Sequence, residues 1–181
     1  SMGGGAAIDF TLDHPEMVDA LIPVCAGLSG FDPGAGFEDE YAQVSEQIEA
    51  AEKAGDLDLV NDLELGIFVS GRGRAREQVA HDVYEKVWEM NGNNLRRASE
   101  LEQAQFQRLD PPAAGRLAEI HAPTLIIEGE LDERVTLTMG DVMAAGIAGA
   151  RLVTMTGVAH VPNMEKPDEF NRLVEEFLSQ L

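Results

Sequence analysis

The apolar positions at the start of the chain predict a helix followed by a buried strand. Residues 3 to 13 begin with three glycines and continue with alanines and larger apolar residues. We expect a helix whose first turn packs closely against a neighbour, since glycine otherwise weakens helices. His14 precedes a proline and should end this helix. The apolar run 20–26 then predicts a buried strand, in which Pro23 is unusual.

From about residue 37 to residue 108 the apolar positions recur at three- and four-residue steps within an acidic background. This spacing is typical of amphipathic helices, and no strand pattern interrupts it. The three apolar stripes consist of Tyr41, Val44, Ile48 and Ala51, then Leu59, Leu63 and Ile67, and then Val79, Val83, Val87 and Met90. The segment is therefore predicted to be an all-helical insert of three or four helices.

The last third of the chain alternates between strand and helix patterns. Short β-rich runs at 124–128 and 151–155 flank a helical pattern at 136–148. A terminal amphipathic helix follows, with its apolar face on Phe170, Leu173, Val174, Phe177 and Leu178. Buried strands that alternate with helices predict a mostly parallel sheet with helices on both faces, which is an α/β fold.

Composition narrows the class of protein. The chain has 181 residues, 44% of them apolar, and a formal net charge of −20. So acidic a surface repels phosphate backbones and anionic headgroups, which disfavours nucleic acids and membrane surfaces as partners. Cys25 is the only cysteine, so no internal disulfide can form, and we expect it to be buried in a strand. Neither a secretory signal nor a transmembrane span is evident, and a cytoplasmic location is the default expectation.

Three residues far apart in the chain carry candidate chemistry. Ser1 precedes the glycine-rich helix, Asp132 follows the strand at 124–128, and His160 follows the strand at 151–155. Because both strands are predicted to be parallel, Asp132 and His160 should emerge at the same edge of the sheet. A serine nucleophile needs an imidazole to take its proton, and the imidazole needs a carboxylate to hold its tautomer. Glu130 and Glu133 are rival carboxylates.

The other three histidines predict no metal centre. His14 lies at a helix end, His81 on a helix surface and His121 just before a strand. None is spaced as a metal ligand with another histidine, so we expect no metal site. A reaction at a serine, a histidine and a carboxylate also requires no cofactor.

Three stretches together resemble the α/β-hydrolase superfamily. They are SMGGGAA at 1–7, APTLIIEGELD at 122–132 and GVAHVPNMEKPDEF at 157–170. The first matches the second half of the nucleophile-elbow motif, and the last is most similar to enol-lactonases, esterases and cofactor-free haloperoxidases. The resemblance covers about 1–31 and 111–181 and implies the α/β-hydrolase fold, with the insert in the position of the variable lid.

The resemblance implies roles for individual residues. Ser1 would be the nucleophile, His160 the general base and then acid, Asp132 the orienting carboxylate, and the Met2 N–H an oxyanion donor. Val135 and Val161, beside these residues, are candidate pocket walls. From the lid, Trp88 and Tyr84 are further candidates, although packing within the lid is the favoured interpretation of both.

The expected organisation is a hydrolase core over 1–31, a helical lid over 32–110 and a second part of the core over 111–181. A complete member of the superfamily carries further strands before the elbow, so we expect an N-terminal segment of the same fold as a partner, whether a separate chain, a cleaved piece or omitted residues. Without it, the apolar sheet edge would be unpaired.

The expected activity is hydrolysis of a small carboxylic ester or lactone through an acyl-enzyme. C–C bond hydrolysis and cofactor-free perhydrolysis use the same three residues and remain alternatives. So do a non-catalytic ligand-binding protein and an inactive fragment. Ser1 and Met2 can also be explained as a cloning remnant, or Ser1 as an N-terminal nucleophile with its own α-amine as base, although that class needs stacked antiparallel sheets.

Overall fold

The computed structural model describes residues 1–35, 41–98 and 109–181, so both ends of the predicted helical insert lie outside the described residues. The helices are α1 (Met2–Asp13), α2 (Ala42–Ala54), α3 (Leu57–Leu65), α4 (His81–Arg96), α5 (Arg134–Gly146), α6 (Pro162–Glu165) and α7 (Pro167–Leu178). The strands are β1 (Leu125–Gly129) and β2 (Arg151–Met155). A π-helical turn, Gly66–Ser70, follows α3 directly.

The sheet is parallel, as the alternation of strands and helices predicts. β1 pairs with β2 in register from Leu125 opposite Arg151 to Gly129 opposite Met155. The apolar run 20–26 lies on the other side of β1 and meets it in two parallel bridges, Leu21 to Thr124 and Val24 to Ile127. Pro23 has no N–H to donate, and its carbonyl accepts from Ile127 N at 3.0 Å. This run therefore pairs with β1 without forming a continuous ladder, and its extended part ends at Cys25, whose φ of 44° lies outside the strand region.

Helices cover both faces of this sheet. One core cluster joins Ile126 of β1 to α1 and α5 through Ile8, Leu12, Met143 and Ile147. A second joins Leu125 and Ile127 to α7 through Leu173 and Phe177. Successive residues of β1 thus point to opposite layers, as the pleat of a strand requires. This three-layer arrangement is the predicted α/β architecture.

The glycines at the start of α1 allow the close approach expected of them. A Cβ on Gly4 would lie 2.6 Å from Ala26 Cβ, and one on Gly5 would lie 3.1 Å from Gly27 O. α1 therefore rests directly on the backbone that follows the first extended segment. His14 ends the helix with its N–H donating to Phe10 O at 2.8 Å.

In the part of the insert that the structure describes, the regular elements are helices, as predicted, and α3 packs against both α2 and α4. Gly55 adopts φ of 75° and ends α2, and Asp56 caps α3 by accepting from Leu59 N at 3.1 Å. A third apolar cluster, formed by Leu65, Val69, Val79 and Tyr84, lies between this region and Val161. The insert is thus packed onto the histidine-bearing part of the core. No helix in the described ranges has the length and apolar character to cross a membrane.

Two boundaries differ from the prediction. The helix expected at 136–148 covers Arg134–Gly146, so it begins and ends two residues earlier. Between α3 and α4, the chain continues through the π-turn and a 3-10 turn, Arg76–Gln78, rather than a simple break at the glycines.

Candidate active site

Asp132 and His160 lie side by side at the carboxyl edge of the sheet. Asp132 comes three residues after β1 ends, and His160 comes five residues after β2 ends. His160 Nδ1 lies 2.9 Å from Asp132 Oδ1 and 2.8 Å from Oδ2. Parallel register puts both strand ends at one rim, which is the physical basis of the predicted pairing. The structure therefore brings together the two residues that the sequence analysis paired.

The environment of Asp132 suits a carboxylate that holds an imidazole. Its side chain is fully buried, and Oδ1 also accepts from Glu133 N at 2.8 Å, at the N-terminus of α5. Helix N-termini stabilise negative charge. An ionised carboxylate in this position fixes the proton of His160 on Nδ1 and leaves Nε2 free to accept one.

Glu130 is engaged elsewhere. Its Oε2 accepts from Gly157 N at 2.8 Å and so links the two loops that carry Asp132 and His160. Asp132, rather than Glu130, is the carboxylate that contacts His160 through both of its oxygens.

Ser1 lies at the N-cap of α1 and lines the same cavity as His160. Its carbonyl accepts from Gly5 N at 3.1 Å and from Gly27 N at 3.3 Å, and its α-ammonium donates to Val24 O at 3.0 Å. Ser1 is thus held at the tight junction between the first extended segment and α1, on the rim that carries His160.

Met2 begins α1, and the N–H groups of a helix's first turn have no intrahelical acceptor. They point out of the helix N-terminus, where the helix dipole favours negative charge. A backbone donor in this position is what stabilises a developing oxyanion. The side chain of Met2 is itself exposed.

The cavity shared by Ser1 and His160 has a volume of about 220 Å³. Ligand pockets commonly measure about 300–1,000 Å³, so this cavity suits a small group. Its walls come from the core and from the insert, and they are Ser1, Leu65, Phe68, Val69, Val87, Asn91, His160 and Val161. Apart from His160, no titratable side chain is among these lining residues.

Val161 is the one predicted pocket wall that lines this cavity. Trp88 packs within the insert and donates its indole N–H to Asp62 Oδ1 at 3.0 Å, and Tyr84 is buried in the same cluster. Val135 lies in the first turn of α5. Trp88, Tyr84 and Val135 are not among the residues lining the cavity, so a substrate role for Trp88 and Val135 stays a prediction.

Sequence reasoning did not identify Phe68 or Asn91 as walls of the cavity. Asn91 falls on α4 one turn after Val87, so the apolar stripe of that helix was a usable signal. Phe68 lies in the π-turn, whose altered spacing breaks the 3.6-residue pattern, and no sequence signal pointed to it.

Cys25 is buried, as predicted, but it lies at a bend with φ of 44° rather than in a strand, and it adjoins the two paired residues. Its sulfur, an Asp132 oxygen and a His160 nitrogen all lie within 4.8 Å of one another, which is a grouping able to hold a metal ion. The spacing of the histidines predicts no metal site, and no sequence motif joins these three residues. Burial raises the pKa of the thiol, however, so the thiolate that a metal needs is disfavoured. His160 Nδ1 and Asp132 also already bond each other.

The chain is similar to several curated proteins and solved structures. The chain is 31% identical over 190 residues to the 2-hydroxy-6-oxononadienedioate/2-hydroxy-6-oxononatrienedioate hydrolase of Escherichia coli O139:H28, covering 99% of this chain and 60% of that protein. No protein-family profile matches it. Because the alignment covers 60% of that protein, the chain spans about three fifths of the length of the curated relatives it matches.

Two solved structures are also similar. One is Est816, described as an N-acyl homoserine lactone degrading enzyme, with a TM-score of 0.69 at 24% identity, over 98% of this chain and 64% of that one. The other is the meta-cleavage product hydrolase CumD of Pseudomonas fluorescens IP01, with a TM-score of 0.65 at 24% identity, over 98% and 61%. At this identity the likeness shows a common fold.

Proposed function

We propose that this chain, which belongs to the α/β-hydrolase fold superfamily, carries the catalytic centre of a serine hydrolase that cleaves a small carboxylic ester or lactone. The observation that carries the proposal is the placement of Ser1 and His160 on one cavity, with Asp132 bonded to the far side of the imidazole. Among the described residues the sheet is parallel, unlike the stacked antiparallel sheets of N-terminal-nucleophile hydrolases, so His160, not the α-amine of Ser1, is the proposed base.

In the first half of the reaction, Ser1 Oγ attacks the carbonyl carbon of the substrate while His160 Nε2 takes the hydroxyl proton. Asp132 stabilises the resulting imidazolium through Nδ1–H. The Met2 N–H donates to the oxyanion of the tetrahedral intermediate. His160 then gives its proton to the leaving alkoxide, which departs as an alcohol and leaves an ester on Ser1.

In the second half, a water molecule gives a proton to His160 Nε2 and attacks the acyl carbon. The tetrahedral intermediate collapses, His160 returns the proton to Ser1 Oγ, and the carboxylic acid is released. For a lactone, the alcohol and the acid are two ends of one product molecule. Every proton moves between substrate, water, Ser1 and His160, so no cofactor enters the proposed reaction.

The lining of the cavity favours a neutral substrate. The curated relatives are named for dioates, which are dianions. Buried carboxylates need cationic or hydrogen-bonding partners. Among the lining residues in the described part of the chain, none is Lys or Arg, and Asn91 is the only amide. Leu65, Val69 and Val87 instead favour a short apolar acyl group.

Hydrolysis of a C–C bond is the second candidate, because the curated relatives and one structural neighbour carry names of that chemistry. A panel of neutral esters, lactones and vinylogous keto acids separates the two activities. Turnover of the keto acids alone would favour the second candidate, and peroxide-dependent turnover would favour a perhydrolase. Tight retention of a ligand with negligible turnover would instead favour a ligand-binding role.

A second proposal concerns the partner of this chain. We propose that the exposed side of α1 packs against a further segment of the same fold, as the length of the relatives suggests. Met2 is 72% and Phe10 43% exposed on this side, beside a surface cavity of about 730 Å³. Exposed apolar groups that adjoin such a cavity are typical of an interaction surface.

Replacing the proposed nucleophile in the complete protein tests the main proposal. Ser1→Ala should abolish turnover of p-nitrophenyl esters and labelling by a fluorophosphonate probe, while the circular dichroism spectrum stays unchanged. Ser179→Ala is a matched control, because Ser179 is exposed beyond α7 and its hydroxyl, which donates to Glu176 O at 2.8 Å, lies far along the chain from the cavity residues. Undiminished turnover in Ser1→Ala, or a probe adduct mapped to another residue, would refute the assignment.

A further inference from the structure

The segment of the insert that follows α3 runs directly across the two loops that carry Asp132 and His160. His160 N donates to Phe68 O at 3.0 Å, and Arg72 N donates to Leu131 O at 2.8 Å. Between them Gly71 has φ of 73°, and a Cβ there would lie 2.5 Å from Leu131 O. The backbone of 66–74 is therefore in direct contact with both loops. We call this segment the brace.

The side chain of Arg72 ties the brace to the loop of Asp132. Its Nε donates to the carbonyl of Asp132 at 2.6 Å, and its Nη2 donates to the carbonyl of Glu130 at 2.8 Å. A guanidinium presents its donors in a rigid planar fork, so two carbonyls held at once define the orientation of the loop between them. Asp132 is thereby held through its main chain as well as its carboxylate.

The side chain of Arg74 ties the brace to the loop of His160. Its Nη1 lies 2.7 Å from Glu165 Oε2 and donates to the carbonyl of Gly157 at 2.9 Å. The other oxygen of Glu165 accepts from Ala159 N, the neighbour of His160, at 2.7 Å. Arg74 Nε and Nη2 donate to carbonyls within the brace, those of Ser70 and Val69, at 2.8 and 2.6 Å.

This ion pair lies inside the protein, since the side chains of Arg74 and Glu165 are 11% and 7% exposed. A buried pair contributes little net stability against apolar replacements, but it defines geometry because each partner is costly to leave unpaired. Glu165 therefore cannot relax away from Ala159 N without also breaking the contact with Arg74. The geometry suits a device that holds a loop in one position.

We propose that Arg72 and Arg74 are positioning residues for the catalytic pair, acting through the brace on the loops of Asp132 and His160. The insert then does more than cover the substrate, because the brace holds the loops of the acid and the base in position relative to each other. The expected effect on kcat rests on the proposed serine hydrolase activity, whereas the expected effect on the position of His160 does not.

The expected effect is on the chemical step. Displacement of a catalytic group by about 1 Å can reduce the rate about 100-fold. In the complete protein, Arg74→Met should lower kcat for a p-nitrophenyl ester about 10- to 100-fold, while KM changes by less than about threefold, because Arg74 does not line the cavity. Arg72→Lys, which keeps the charge but loses the fork, should lower kcat less.

A second readout does not depend on activity. The Nδ1 proton of His160, bonded to Asp132, should give a downfield NMR resonance in the wild type that shifts or broadens in Arg74→Met. Arg172→Met is the matched control, because it makes the same chemical change in a pair at 3.9 Å whose arginine is 65% exposed. The control should leave both kcat and the resonance unchanged.

The outcomes separate the alternatives. If Arg74→Met and Arg72→Lys lower only the melting temperature, while kcat per folded molecule and the His160 resonance match the wild type, the positioning role is wrong. Should Arg74→Met fail to fold, Arg72→Lys decides by the same two measurements. If Ser1→Ala retains turnover, the serine hydrolase proposal fails, but the resonance still tests whether the brace holds His160.

Discussion

Glu128 offers a quantitative test of how burial controls the stability of this fold. It lies on β1 beneath the candidate site, 5% exposed, with Oε1 accepting from Thr154 Oγ1 at 2.8 Å. Its other oxygen, Oε2, is buried and has no hydrogen-bond partner among the described residues. Burial, opposed by the bond from Thr154 and aided by Asp141 and Asp132, raises the pKa of Glu128 to about 7.

The sign of the effect follows from proton linkage. The native protein keeps a proton on Glu128 up to about pH 7, whereas the unfolded chain releases it near the ordinary value of 4.5. Between these values the native state binds more protons, so stability falls as pH rises and levels off above about pH 7. A pKa difference of about 2.5 corresponds to about 3 kcal/mol of lost stability at pH 8 relative to pH 4.

Glu128→Gln removes this titration with little change of shape. We expect the variant to match the wild type near pH 4 and to exceed its free energy of unfolding by about 3 kcal/mol at pH 8. Urea denaturation of both proteins at closely spaced pH values measures the difference, and other titrating groups cancel in it. Glu175→Gln, on the exposed side of α7, controls for the loss of one acidic group from a chain of net charge −20. A stability difference that is independent of pH would refute the reasoning.

Two further predictions concern the brace and the exposed side of α1. Gly71→Ala should lower the free energy of unfolding by about 1–3 kcal/mol, because φ is 73° and the new Cβ would lie 2.7 Å from Ala159 Cβ. Gly73→Ala is the control in urea denaturation, because Gly73 has a similar φ of 71° but open space around the new Cβ. Equal losses of stability in the two variants would contradict the clash. The chain produced alone should self-associate and lack esterase activity, because apolar Met2 and Phe10 are exposed. A chain that is monomeric in analytical ultracentrifugation and hydrolyses esters would refute the proposed partner.

Local pattern predicted most of the regular elements correctly. The spacing of apolar residues located α1, β1, β2 and α7 to within a few residues, because each element buries one face at the period of its backbone. The glycines of α1 predicted a close approach, and Gly4 and Gly5 make it against Ala26 and Gly27. Strand ends also predicted that Asp132 and His160 would meet, since parallel strands place their carboxyl ends at one edge.

Pattern failed where the backbone departs from a regular period. The first extended segment is interrupted at Pro23, and the π-turn Gly66–Ser70 shifts the face that follows it. Phe68 therefore reaches the cavity without any periodic signal. Trp88, a candidate wall from the lid, donates its indole N–H to Asp62 within the insert and is not among the residues that line this cavity, since helix rotation within the insert depends on its neighbours.

The sequence by itself determined the order of elements, the α/β class and the pairing of acid with histidine. These depend on local periodicity and on which residues follow each strand. Only the tertiary structure decided that Arg72 and Arg74 reach across about sixty and ninety positions to Asp132 and Glu165, and that Glu128 is buried with one oxygen unpartnered. The reason is physical: charge–carbonyl contacts and desolvation depend on what distant segments place beside a side chain, and no local pattern encodes that.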